Sequence, residues 1–140
     1  MQPAAQATKN VSFQGKGFEL WYQPAYDAHS GQVQHNEVLL RWRDSKGRLL
    51  LPKDFMPWVS QAKMKLHLDK LVLKKAVQKL KRLPQAQLSI NLSEESLGSP
   101  EFAQFVFDEV TRAQIPAQSL KFEISELQAS RHFKSGDRIY

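Results

Sequence analysis

Apolar and polar positions along the chain change period several times, and each change marks an element. Phe18 to Tyr26 is aromatic-rich and extended, with Pro24 assigning it to a sheet edge or a strand end. Asp27 to Gly31 has turn chemistry, and Val33 to Trp42 returns as a second strand, so the two are predicted to pair antiparallel. Side chains alternate along a strand, which puts Glu37, Leu39 and Arg41 on one face. After the turn at Ser45 to Arg48, Pro52 to Ala62 reads as a helix with Pro57 bending it. Leu71, Val72, Leu73, Ala76, Val77 and Leu80 recur at helical spacing, predicting a longer helix from Asp69 to Leu83 that stops before Pro84.

Leu88 to Leu92 is a short strand ending at Asn91, Leu92 and Ser93. Ser99-Pro100-Glu101 supplies a capping hydroxyl, a proline at the first helical position and an acid in the first turn, so a helix follows and ends before Pro116. Leu120 to Ser125 is the next strand, its Leu120, Phe122 and Ile124 facing one way. The order is hairpin, two helices, strand, helix, strand, which implies an α/β fold with parallel βα units after an antiparallel pair. Met1 to Gly17 reads as a linker or frayed start, and Gln128 to Tyr140 offers only the turn signal Ser135-Gly136-Asp137. No internal repeat interrupts the pattern.

Composition narrows the class. The 140 residues suit one domain or a piece of one, and 41% hydrophobic with 10% aromatic residues is too much for a disordered chain. There is no cysteine, which excludes disulfides and thiolate metal sites and fits a reducing cytoplasm. No apolar run approaches the roughly 20 residues that cross a bilayer. No secretory leader stands at Met1 to Asn10, so a soluble, cytoplasmic protein is expected. The net charge of +6 is concentrated at Lys63, Lys65, Lys70, Lys74, Lys75, Lys79, Lys81 and Arg82. Because these alternate with apolar residues at helical spacing, they read as the solvated face of an amphipathic helix rather than a nucleic-acid patch.

Candidate chemistry lies at Glu37, Asn91 and Glu123, which fall at or near strand ends. A carboxylate inside such a strand is expensive to bury unless paired or metal-bound, and two carboxylates with a carboxamide oxygen are hard ligands of the kind Mg²⁺ or Mn²⁺ accepts. Each has a plainer use. Glu37 fits an exposed strand position, Asn91 fits a turn cap, and Glu123 fits a pair with Lys121 or Arg41. His29, His35, His67 and His132 lack ligand spacing and read as surface or packing residues.

The surroundings of these residues are more specific. Tyr22-Gln23-Pro24, Glu37-Val38-Leu39-Leu40-Arg41-Trp42, Asn91-Leu92-Ser93 and Glu123-Ile124-Ser125-Glu126 stand in one order. Between them come Pro52-Lys53-Asp54-Phe55-Met56-Pro57 and Leu68-Asp69. Over Phe18 to Glu126 the chain resembles the EAL family of cyclic di-GMP phosphodiesterases, through its N-terminal half. The resemblance implies a partial TIM-like (β/α) barrel with its first two strands antiparallel, and divalent-metal hydrolysis of cyclic di-GMP to the linear dinucleotide. It implies that Glu37, Asn91 and Glu123 hold Mg²⁺ or Mn²⁺, that Gln23, Leu39 and Arg41 line the cyclic di-GMP site, and that Glu126 braces a catalytic loop.

Valine at position 38 and serine at position 125 replace the family's alanine and threonine and keep the strand's character. A larger departure follows Glu126. A whole barrel takes about 250 residues, and the family's second half supplies an Asp-Asp pair, a lysine, a further glutamate and a glutamine. No Asp-Asp occurs in this sequence. The expectation is therefore a linker over 1–17, an EAL half over 18–126 and an unmatched tail over 127–140, inactive alone. A non-catalytic cyclic di-GMP-binding or interaction module, including a homodimer joined through uncovered strand edges, is the alternative. A basic nucleic-acid binder ranks behind both, since strand-end carboxylates repel phosphates unless a metal intervenes.

Overall fold

Phe18–Tyr26 (β1) and Val33–Arg43 (β2) pair antiparallel, with Phe18 opposite Trp42 and Gln23 opposite Glu37. These come from a computed structural model that describes residues 17–124. The next elements are a two-residue strand Leu49–Leu50 (β3), helices Pro52–Gln61 (α1) and Lys65–Arg82 (α2), and strand Leu88–Asn91 (β4). Then come a one-turn helix Glu94–Leu97 (α3), helix Pro100–Ala113 (α4), a 3₁₀ turn Ala117–Ser119 and strand Leu120–Glu123 (β5). The sheet order is β1-β2-β4-β5, with β3 pairing β2 as well. β2–β4 and β4–β5 are parallel, so the antiparallel hairpin followed by parallel βα units is as the strand–helix alternation predicts.

Alternation along β2 divides the sheet into two faces. Val38 and Trp42 are buried on the face that the helices cover, leaving Glu37, Leu39 and Arg41 on the other. On the covered face Val38, Leu88, Ile90 and Leu120 meet Val72, Leu73, Ala76, Val77 and Leu80 of α2. Burying each large apolar side chain contributes about 1.5–3 kcal/mol, which makes α2 the main clamp on the strands. A second cluster joins Phe18, Trp42 and Leu50 to Phe55, Val59 and Leu68, so α1 closes the hairpin end. A third joins Leu92, Leu97 and Phe102 beyond the end of β4.

One element boundary and two short elements differ from the sequence expectation. α2 begins at Lys65, not Asp69, because fully buried Leu68 extends the apolar stripe one turn back. Its start carries no capping side chain, so no local signal marked it. α1 continues through Pro57 to Gln61, with the Asp54 carboxylate accepting from the Leu51 N–H at its start. β3 and α3 are short elements that the residue pattern did not announce. α3 is initiated by Ser93, whose Oγ accepts from the Ser96 N–H. Glu37 lies in the middle of the long β2, whereas Asn91 and Glu123 are the last residues of β4 and β5. Among the described residues no helix is long and apolar enough to cross a membrane.

Candidate functional site

The face of the sheet that no described helix covers collects the polar residues that the pattern singled out. Gln23 stands opposite Glu37 across the β1–β2 ladder, Glu37 beside Ser89 across β2–β4, and Asn91 beside Glu123 across β4–β5. Asn91 Nδ2 donates a hydrogen bond of 3.0 Å to Glu37 Oε2, which ties the middle of β2 to the end of β4. The Leu92 N–H donates to the Glu123 carbonyl at 2.9 Å and continues the tie to β5. Three strands therefore bring Glu37, Asn91 and Glu123 to one neighbourhood.

The structure adds His35, which the sequence reading left among surface or packing residues. Its Nε2 lies 3.9 Å from Glu123 Oε1, a contact that becomes an ion pair only when the imidazole is protonated. Its Nδ1 and the Ser89 hydroxyl are buried without a partner among the described residues. Two residues before Glu37 on the same strand, His35 shares its face, so period-two alternation was the signal that could have placed it.

Leu39 and Arg41 follow Glu37 on this face and line a cleft of about 310 Å³ with Lys65, Asp69, Asn91 and Ser93. Arg41 is half-buried, and its Nη1 donates to the Leu40 carbonyl at 2.9 Å. Asp69 sits behind the turn after Asn91. Burial pushes its carboxyl above the ordinary range, while hydrogen bonds from Ser96 and Ser93 oppose that shift. From the sequence Asp69 stands only at the expected start of the second helix and in the Leu68-Asp69 segment, with no role of its own. Glu126 lies outside the described residues.

The donor set fits a hard divalent cation in kind. Two carboxylates and a carboxamide offer oxygens only, and turning the Asn91 amide over presents Oδ1 in place of Nδ2. It is an open set, since among the described residues no group of three or more histidine, aspartate or glutamate side chains is gathered to hold a metal. Mg²⁺ accepts such sites, keeping waters and substrate phosphates alongside one or two carboxylates.

Comparison with known proteins shows the family and the fold. The family profile of the EAL domain matches residues 6–138. The chain belongs to the EAL family. That span reaches beyond both ends of the segment that carries the motifs. Among curated relatives, the cyclic di-GMP phosphodiesterase PdeB of Shewanella oneidensis is 35% identical over 120 residues. The biofilm architecture maintenance protein MbaA of Vibrio cholerae is 31% identical over 118. Each alignment covers 81% of this chain but only 14% and 15% of the relatives, so the chain spans a small part of their length. The EAL domain of FimX from Pseudomonas aeruginosa, solved bound to c-di-GMP, superimposes with a TM-score of 0.83 at 26% identity. That match covers 93% of this chain and 53% of FimX's, which establishes the fold as part of an EAL barrel.

Proposed function

We propose that this chain is the cyclic di-GMP-recognising half of a metal-dependent phosphodiesterase site. The observation that carries the reading is the Asn91–Glu37 hydrogen bond beside Glu123, which gathers two carboxylates and a carboxamide on three neighbouring strands. In this reading Glu37, Asn91 and Glu123 hold Mg²⁺ or Mn²⁺. Bound there, the cation supplies charge for the phosphodiester and lowers the pKa of a water. Arg41 offers its guanidinium to a phosphate of the dinucleotide, Leu39 gives an apolar contact, and Gln23 borders the site from β1. By the family resemblance Glu126 would brace a catalytic loop. The segment 18–126 is the recognising unit, flanked by 1–17 and 127–140, and its place is the cytoplasm.

Hydrolysis to the linear dinucleotide belongs, in this reading, to a site completed by further carboxylates, because these residues make an open set. Incubation with cyclic di-GMP and Mn²⁺ followed by chromatography checks this. The cyclic dinucleotide should be recovered intact, and a linear product lost with Glu37→Ala would show that the half site suffices for turnover.

One observation favours a second reading, a non-catalytic interaction module. An apolar groove of about 380 Å³ runs along α4 and β5 past Val106, Phe107, Val110 and Phe122, and Phe107 is 64% exposed. A homodimer joined there would show as twice the chain mass under native conditions.

A further inference from the structure

The turn that carries Asn91 is held from a neighbouring helix by one side chain. Asp69 projects from the second turn of α2 toward the residues just beyond β4. Its Oδ2 accepts from the Ser93 N–H at 3.1 Å, the Ser93 hydroxyl at 2.7 Å and the Ser96 hydroxyl at 2.7 Å. Ser93 Oγ in turn accepts from the Ser96 N–H at 3.2 Å, so a single carboxylate oxygen organises the whole turn into α3.

The position of this clamp matters more than its strength. Asn91 is the last residue of β4, and among the described residues the Leu92 N–H bond to the Glu123 carbonyl is the final tie to the sheet. Beyond it the chain leaves the sheet, with the Leu92 side chain buried against Leu97 and Phe102 and Ser93 held by Asp69. Asn91 is thus held on one side by the β4–β5 ladder and on the other by Asp69. Past the Leu92 bond no further ladder among the described residues fixes the chain that follows Asn91. The aim of the Asn91 side chain therefore depends on what holds the next residues.

We propose that Asp69 is a positioning residue: through Ser93 and Ser96 it fixes the turn after β4 and so aims the Asn91 amide at Glu37. The inference rests on the reading of Glu37, Asn91 and Glu123 as a cation site. Asp69 is not placed among the ligands, and its effect on a cation passes through Asn91.

The test uses the whole chain, first without metal and then with Mn²⁺. In the metal-free chain the two side-chain amide protons of Asn91 are followed by NMR. One should be shifted by its bond to Glu37, and Glu37→Ala should remove that shift. Asp69→Ala should remove it too, while Asp69→Asn, which keeps an oxygen to accept from the serines, should retain most of it. Mn²⁺ affinity should fall about tenfold or more in Asp69→Ala, the usual range for a residue that orients a ligand, and recover in Asp69→Asn. An Asp69→Ala chain that stays folded and keeps both the Asn91 shift and the Mn²⁺ affinity overturns the proposal.

Should Asp69→Ala fail to fold, the Ser93→Ala, Ser96→Ala double variant removes the same hydroxyl bonds from the other side. Loss of the Asn91 shift there supports positioning, and its persistence overturns it. An unaltered chain that binds no Mn²⁺ refutes the cation site itself, and the metal-free amide shift still decides the role of Asp69.

Discussion

Lys63 shows how a single residue can run against its backbone. It closes α1 with φ of 58°, a left-handed conformation in which a side chain is costly. The bonds around it, Met64 N–H to the Val59 carbonyl and Lys63 N–H to the Ser60 carbonyl, are those of a helix end that ordinarily takes glycine. Lys63→Gly should therefore stabilise the chain by about 0.5–1 kcal/mol, the gain in the folded state being partly offset by a more flexible unfolded chain. An increased urea midpoint with an unchanged slope is the expected result. At this scale the sequence was most informative where motif and face agreed, as for Glu37, Leu39 and Arg41. It was least informative for Asp69, Ser93 and Ser96, whose meaning lies in contacts across 24 and 27 positions of sequence.

The turn between β2 and β3 depends on one carboxylate. Buried Asp44 accepts from the Lys46 and Arg48 N–H groups and from the Arg48 guanidinium. Burial pushes its carboxyl up, but the bonds from Arg48 and Lys46 outweigh that and hold it below the ordinary range. A depressed folded-state pKa stabilises the fold above the unfolded value, and that stability is lost as the pH falls through the folded value. Asp44→Asn should thus melt below the unaltered chain at pH 7. The gap should close as the pH falls below the ordinary aspartate value of about 3.9. A gap that stays constant with pH would assign the role of Asp44 to shape alone. Among the elements, β1, β2, β4 and α4 were legible because their alternation, periodicity and caps are local. The start of α2 was not, since Leu68 declares itself only when it meets Phe55 and Trp42 in the core.

Over the described residues the molecule is a sheet clad by helices on one face, with Glu37, Asn91 and Glu123 on the other. Its covered face holds the strands in place, and the opposite face bears the candidate site. The fold class and strand directions follow from the order of elements, because parallel pairing needs a crossover helix between strands. The convergence of Glu37, Asn91 and Glu123 was legible only through their motifs, since no local pattern brings three separate strands to one point. His35 has no motif around it, and only its place two residues before Glu37 on the same strand could have marked it.

The central claim is that these strands form a working half of a cyclic di-GMP site. Isothermal titration of cyclic di-GMP into the purified chain, with and without Mn²⁺ and with Glu37→Ala alongside, tests it most directly. Binding that requires Mn²⁺ and disappears in a folded Glu37→Ala chain is the result expected. Failure of the folded chain to bind, or binding indifferent to Mn²⁺ and to Glu37, would contradict it.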